Sequence, residues 1–173
     1  RQYGNSHGVD YRSIMPTNLY GPGDNYNNEL NHVIPALLRR FHEAKVKNYP
    51  IVKIWGSGKP LREFLHVDDL ARASVFTMNL SKDIFYKKID IMNSHINVGS
   101  GKDLTIRELA CTIKKIVNFN GDIEFDFSMP DGTYRKLLDS QLIKNFGWKP
   151  KIDLEGGLKK TYLELLKNNP LFI

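Results

Sequence analysis

The chain has 173 residues, 41% of them apolar and 25% charged, with a formal net charge of +6. That length supports one sizeable core, and the composition is that of an ordinary globular domain. No run approaches the roughly 20 apolar residues of a membrane span, the opening residues carry no charged-then-apolar leader, and one cysteine excludes an internal disulfide or a cysteine zinc site. A reduced, cytoplasmic protein is expected, and the first residue, Arg1 rather than methionine, suggests a fragment of a longer chain. The basic excess crowds into Arg39, Arg40, Lys45, Lys47, Lys53, Lys59 and Arg62. Such a cluster attracts phosphate groups. It is accompanied by no zinc-finger spacing, heptad array or RNA-binding aromatic motif, so a nucleic-acid module is not expected, and the cluster reads either as a site for the phosphates of a small nucleotide or as a solvated basic surface.

Along the chain, Val9 to Leu19 is rich in strand formers and reads as a strand. Gly21-Pro-Gly-Asp24, followed by Asn25, Asn27 and Asn28, is turn chemistry. From His32, the residues Val33, Leu37, Phe41 and Ala44 share one helical stripe. Ile51 to Trp55 is a strand closed by Gly56-Ser-Gly58. A second strand, Arg62 to Val67, runs into a helix whose first turn holds Asp68 and Asp69, favourable to its dipole. Ile96-Asn-Val98 ends in Gly99-Ser-Gly101, and Thr105 with Glu108 forms a capping box, stapled by Leu104 against Leu109. Ile106, Leu109, Ile113 and Val117 continue that helix, while Ile123, Phe125 and Phe127 alternate as a strand. Two helices close the chain, one from Asp139 to a glycine stop at Gly147 and one from Asp153 to before Pro170. Strands alternating with helices imply an α/β architecture.

Several suggestive motifs fail. Gly99-Ser-Gly-Lys-Asp103 stands where a phosphate loop would stand, but Ile96 and Asp103 occupy positions that need a glycine and a Ser or Thr. The three-glycine dinucleotide fingerprint is absent. Tyr49 and Lys53 have the spacing of a reductase Tyr/Lys pair, which aligns side chains only on a helix, and Pro50 with the strand-like run argues against one. Cys111 sits beside the apolar face of the capped helix and reads as a small packing residue. Asn79-Leu-Ser81 is a sequon without meaning in a cytoplasmic protein.

Other segments carry a resemblance. Pro16-Thr-Asn-Leu-Tyr-Gly-Pro22, His32-Val-Ile-Pro-Ala-Leu-Leu-Arg-Arg-Phe-His-Glu-Ala44, Trp55-Gly-Ser-Gly58, Arg62-Glu-Phe-Leu-His-Val-Asp-Asp69, Ser94-His-Ile-Asn-Val-Gly99, Thr105-Ile-Arg-Glu-Leu109, Pro130-Asp-Gly-Thr133 and Arg135-Lys-Leu-Leu-Asp139 follow in order. Together they resemble the GDP-L-fucose synthases, epimerase/reductases of the extended short-chain dehydrogenase/reductase superfamily that act on GDP-4-keto-6-deoxymannose. The Asn-x-Tyr-Gly-Pro and Arg-Glu-Phe-x-His-Val-Asp-Asp runs mark only the wider nucleotide-sugar enzymes; the run from His32 to Arg40 is more specific.

The resemblance implies that residues 1–173 are one fragment, the last Rossmann strands interleaved with a small α+β substrate domain. The NADP-binding half, with its glycine loop, Tyr/Lys pair and catalytic cysteine, would then precede Arg1, and the fragment alone would be inactive. Read from the residues alone, His32 is better explained as a helix cap; the resemblance reverses that, because the position matches the family's catalytic histidine. Asn31 stands where a serine is usual. Pro16, Thr17, Asn18 and Leu19, with His32, match the segment around the nicotinamide of NADP. Arg40, Trp55, Arg62 and Asp131 match substrate-binding positions, and Lys136 adds charge near the diphosphate. Guanidinium groups suit a diphosphate because they bind it bidentately and stay charged. His66 with Asp68 and Asp69 is expected to fix a strand-to-helix corner. The partners implied are a GDP-sugar and, for the full-length protein, a second copy in a homodimer, with no metal, nucleic acid or membrane. Alternatives are another nucleotide-sugar epimerase, dehydratase or reductase, or a non-catalytic nucleotide-sugar-binding module.

Overall fold

The computed structural model describes residues 7–26, 32–89 and 94–168. The readings that involve Arg1, Asn27, Asn28, Asn31 and Pro170 lie outside them. The elements in order are β1 (Ser13–Pro16), β2 (Asn18–Tyr20), α1 (Val33–Val46), β3 (Ile51–Trp55), β4 (Leu61–His66), α2 (Val67–Asn79), α3 (Lys82–Lys88), β5 (His95–Val98), β6 (Asp103–Thr105), α4 (Ile106–Val117), β7 (Asp122–Asp126), β8 (Arg135–Lys136), α5 (Gln141–Asn145) and α6 (Leu154–Asn168). The α/β architecture expected from the alternation is present. None of the described helices is long and apolar enough to cross a membrane.

The strand expected from Val9 to Leu19 is broken at Thr17. Its first part, β1, runs parallel to β5 with Ile14 opposite Ile96, and its second part, β2, runs parallel to β4 with Leu19 opposite Leu65. Pro16 cannot donate to a ladder, and the next amide, Thr17, donates to Val98 O at 3.0 Å before the chain crosses to its second partner. Strand β4 also changes neighbours along its length. Leu61 to Glu63 pair antiparallel with β6, Leu61 and Arg62 pair parallel with β8, and Phe64 to His66 pair with β2. Strands β3 and β7 form a separate parallel pair. With two or three residues each, β6 and β8 are too short to leave a periodic signal.

Two apolar clusters hold these layers together. One gathers Leu37, Leu38 and Phe41 of α1, Leu109 and Ile113 of α4, and Leu158 and Leu165 of α6 over Val52 and Ile54. The other packs Leu65, Ala73, Phe85, Ile96, Val98, Ile143 and Trp148. Each fully buried Leu, Ile or Phe contributes about 1.5–3 kcal/mol. Helix α4 starts as its sequence requires. Glu108 N–H donates to Thr105 Oγ1 at 3.1 Å, Thr105 N–H donates to Glu108 Oε2 at 2.7 Å, and Leu104 packs on the cluster that contains Leu109.

Four local expectations change. Phe127 is not in a strand: β7 stops at Asp126, whose Oδ1 accepts the Ser128 N–H at 3.0 Å and turns the chain, leaving Phe127 73% exposed. Cys111 is exposed rather than a packing residue, because the stripe Leu109-Ile113-Val117 faces inward and position 111 falls off it. The helix expected from Asp139 begins only at Gln141, since Asp139 Oδ1 accepts the Gln141 N–H at 2.9 Å from outside the helix. Finally, Asn79-Leu-Ser81 is a helix junction: α2 ends at Asn79, and Ser81 caps α3 by accepting the Ile84 N–H.

Candidate functional site

Two cavities open beside the point where β1, β2 and β4 meet. The larger, about 800 Å³, is lined by residues 16–24, His32, Val67 and Lys136–Leu138. The smaller, about 420 Å³, is lined by Arg40, Trp55, Arg62, Asp131 and the apolar Ile34, Leu37, Ile54, Phe64 and Ile106, among others. Asn18, Leu19 and His32 line both. Pro16, Thr17, Asn18, Leu19 and His32, which the resemblance linked to cofactor, therefore share one cavity, and Arg40, Trp55, Arg62 and Asp131, linked to substrate, share the other. Lys136, expected with them near the diphosphate, lines the larger cavity instead, because β8 ends there. His32 stands on the wall between them.

His32 occupies the residue before α1. Its carbonyl accepts the Ala36 N–H at 3.1 Å, but its side chain makes no capping hydrogen bond. The imidazole is exposed. A helix cap does not account for the side chain, and it remains available to a ligand.

Two cations stand at the smaller cavity. The Arg40 guanidinium lies 5.3 Å from the ring centre of Trp55, a cation–π distance, and Trp55 is 57% exposed. Arg62 Nη1 donates to Leu61 O at 2.8 Å and Thr133 O at 2.6 Å. Both bonds use one nitrogen of a group with five donors, so the fork keeps donors for an anion. Asp131 is engaged differently: its Oδ1 accepts the Ser57 N–H at 2.8 Å and its Oδ2 the Ser57 hydroxyl at 2.6 Å. These bonds hold its carboxyl below the usual carboxylate range. They also latch the loop after β7 to the turn after β3, where Gly56 has φ +78° and a Cβ would meet the Asp131 side chain. Asp131 thus shapes the cavity wall through Ser57, and Lys136, on β8, is paired in register with Arg62.

The corner after β4 is closed. His66 Nδ1 accepts the Asp68 N–H at 3.2 Å, and burial pushes the imidazole below its ordinary value, against the pull of Asp68. Asp69 is fully buried and accepts the Lys151 and Ile152 N–H groups at 2.9 Å each. Neither cavity is lined by His66, Asp68 or Asp69.

Sequence reasoning missed Pro130 and Gly132 of the smaller cavity, Ser57 that holds Asp131, Val67, Leu137 and Leu138 of the larger cavity, and the buried Glu63. Glu63 lay inside a quoted run, but an acid in a strand gives no sign of which loops it will grip.

Residues 1–99 match the NAD dependent epimerase/dehydratase family. The chain is 55% identical over 170 residues to GDP-L-fucose synthase of Escherichia coli (strain K12), covering 98% of this chain and 53% of that protein. Among solved structures, a GDP-6-OMe-4-keto-L-xylo-heptose reductase from C. jejuni superposes with TM-score 0.86 at 35% identity, over 97% of this chain and 57% of its own. A GDP-L-fucose synthetase from Naegleria fowleri bound to NADP superposes with TM-score 0.81 at 31% identity, over 96% and 50%. The chain thus spans about half the length of the relatives it matches. On the family match over more than half of its residues, the chain belongs to the NAD dependent epimerase/dehydratase family.

Proposed function

We propose that the protein carrying this chain is an NADP-dependent epimerase/reductase that converts GDP-4-keto-6-deoxymannose to GDP-L-fucose, and that this chain supplies its GDP-sugar pocket, one wall of its nicotinamide site and its acid/base histidine. One observation carries the reading: a smaller cavity edged by Arg40 and Arg62 and a larger, more apolar one adjoin at Asn18, Leu19 and His32. The relatives' names are in keeping with it. Pro16, Leu19, Pro22, Val67, Leu137 and Leu138 give the larger cavity a flat apolar lining suited to a nicotinamide ring, with Thr17, Asn18 and Lys136 for its polar groups. The chain has no glycine fingerprint, so it contributes only that end of the dinucleotide site. When bound, the cofactor supplies the hydride that reduces the 4-keto group.

This chain's residues bind the substrate and supply one proton-transfer group; the cysteine and Tyr/Lys pair that the resemblance implies lie outside it. Arg40 and Arg62 hold the diphosphate at the smaller cavity, and Trp55 offers its face to the base. The sugar then extends past Asn18 and Leu19 towards His32. A 4-keto group acidifies the hydrogens on C3 and C5, so a base on one face and an acid on the other suffice to invert each carbon through an enolate. An exposed imidazole, uncommitted to the helix, can take or give that proton near neutral pH.

Replacing Arg62 with Lys keeps the charge and removes the fork. The intact protein with Arg62→Lys is expected to bind GDP more weakly by about 1.5–3 kcal/mol, the worth of one hydrogen bond to a charged group. Lys47→Arg, away from both cavities, is expected to change little. Equal GDP affinity in wild type and Arg62→Lys, by calorimetry at fixed salt, overturns the placement of the diphosphate.

A further inference from the structure

Glu63 is the polar side chain buried deepest between the cavities, with 0% of its surface exposed. It lines neither of them. It stands where β4 exchanges β6 and β8 for β2. Its Oε1 accepts the Gly101 N–H at 2.6 Å and the Ser100 hydroxyl at 3.4 Å, from the loop between β5 and β6. Its Oε2 accepts the Leu138 N–H at 3.1 Å, two residues past Lys136, where the β4–β8 ladder has ended. Its backbone carbonyl accepts the Asn18 amide at 2.8 Å and the Thr17 hydroxyl at 3.3 Å. At Gly99, a Cβ would collide with the carboxylate, so the close approach requires glycine there.

We propose that Glu63 is a positioning residue: it fixes the distance between two facing walls of the larger cavity, Thr17–Asn18 on its carbonyl and Lys136–Leu138 on its carboxylate, and so sets how the nicotinamide meets the sugar. This rests on the reading of function above. A buried carboxylate is tolerated only when its oxygens are occupied by donors. Pairing of β4 with β2, β6 and β8 brings the donor segments close, and the Gly101 and Leu138 N–H groups, just beyond those ladders, go to the Glu63 carboxylate. An unfilled acceptor costs about 1–3 kcal/mol. The same arrangement predicts which quantity moves. GDP is gripped at the smaller cavity by Arg40 and Arg62, which the Glu63 carboxylate does not touch, whereas a wall displaced by 1 Å costs turnover about 10²-fold.

In the intact protein, Glu63→Gln places an NH₂ against an N–H donor and releases one wall. The expected result is a fall in kcat of about 10- to 100-fold at saturating NADPH and keto-sugar, with GDP affinity within threefold of wild type. Amide hydrogen exchange should also quicken at Leu138. A merely structural role would lower the melting temperature and leave kcat of the folded enzyme unchanged, and that result overturns the proposal. Glu63→Asp, which keeps both oxygens on a shorter arm, is expected to lose about tenfold in kcat and carries the same test if the glutamine variant does not fold. Should the wild-type protein not turn over the keto-sugar at all, the proposed function falls. Exchange at Leu138 then decides the Glu63 inference separately, and an unchanged rate in either variant overturns it.

Discussion

The two ends of β4 each bury polar side chains, and they use them in opposite ways. At the upstream end, Arg62 and Glu63 are bonded to Thr133, Leu138, Gly101 and, through the Glu63 carbonyl, Thr17 and Asn18, of which Leu138, Thr17 and Asn18 line the larger cavity. At the downstream end, three residues further on, His66 caps α2 and Asp69 ties the segment at Lys151 and Ile152 to the corner. One end has donors aimed at a space where a ligand fits. The other has its polar groups turned on the backbone and side chains of the corner itself, Asp69 on Arg72 and Asp68 on Lys160 among them, while the His66 Nε2 has no hydrogen-bond partner among the described residues. In a family run of eight residues such as Arg62 to Asp69, proximity in sequence therefore separates neither role, and what a side chain is bonded to does.

That contrast can be broken by substitutions that should affect chemistry at one end and stability at the other. The largest effect is expected at the cavity end. His32→Gln in the intact protein should slow exchange of the sugar C3 and C5 hydrogens with solvent deuterium by about 10²–10⁴-fold, the usual cost of removing a general acid or base. Because the His32 side chain caps nothing, the unfolding midpoint should stay put. Wild-type exchange rates in the variant would remove His32 from the chemistry. At the corner the expectation reverses. Asp69→Ala leaves the Lys151 and Ile152 amides without an acceptor and Arg72 without its carboxylate. Loss of about 3 kcal/mol is expected in denaturant unfolding, the lower part of the range for breaking a buried pair, since the Arg72 side chain is partly exposed. GDP affinity of the folded fraction should remain as in wild type. A weakened GDP affinity with unchanged stability would reverse the contrast.

How much of this was legible beforehand depended on whether a feature is local. The helix from Ile106 was readable because its cap, staple and apolar stripe all lie between Leu104 and Val117, and each does in the structure what its chemistry requires. The strand at Val9 to Leu19 was readable as extended chain but not as two strands, since its break reflects partners at Val98 and Glu63, far away in sequence. The exposure of Cys111 and Phe127 turned on one-residue phase and on a turn made by Asp126, which a periodic pattern resolves poorly. Within the site, Arg40, Trp55 and Arg62 were found through resemblance, and their meeting in one cavity is a tertiary fact. Glu63 was the hardest to foresee: three of its donors are backbone N–H or hydroxyl groups from loops 37 to 75 residues away, and such donors leave no mark in a sequence.

The smallest expected effect sharpens the same contrast through pH. Burial lowers the His66 pKa, with Lys160 and Arg72 acting in the same direction and Asp68 and Asp69 opposing. In the unfolded chain the group returns to about 6.5. Between the folded and the unfolded values, the unfolded state binds the extra proton, so stability falls as pH drops below about 6.5 and is fully present above it. The slope from one such group cannot exceed about 1.4 kcal/mol per pH unit. Asp68, Asp103, Asp126 and Asp131, whose pKa values are held down by hydrogen bonds, act in the same direction, but only once pH approaches the unfolded carboxylate value near 3.9. The two windows therefore separate. His66→Asn keeps an acceptor for the Asp68 N–H, asparagine being a good residue in that position, and removes the titration. Denaturant unfolding between pH 7 and pH 5 should show a decline in wild type and a flatter profile in His66→Asn, whatever the variant's absolute stability. Parallel profiles would mean that His66 is as readily protonated in the folded protein as in water, and the downstream end of β4 would then not be the closed corner that separates it from the site.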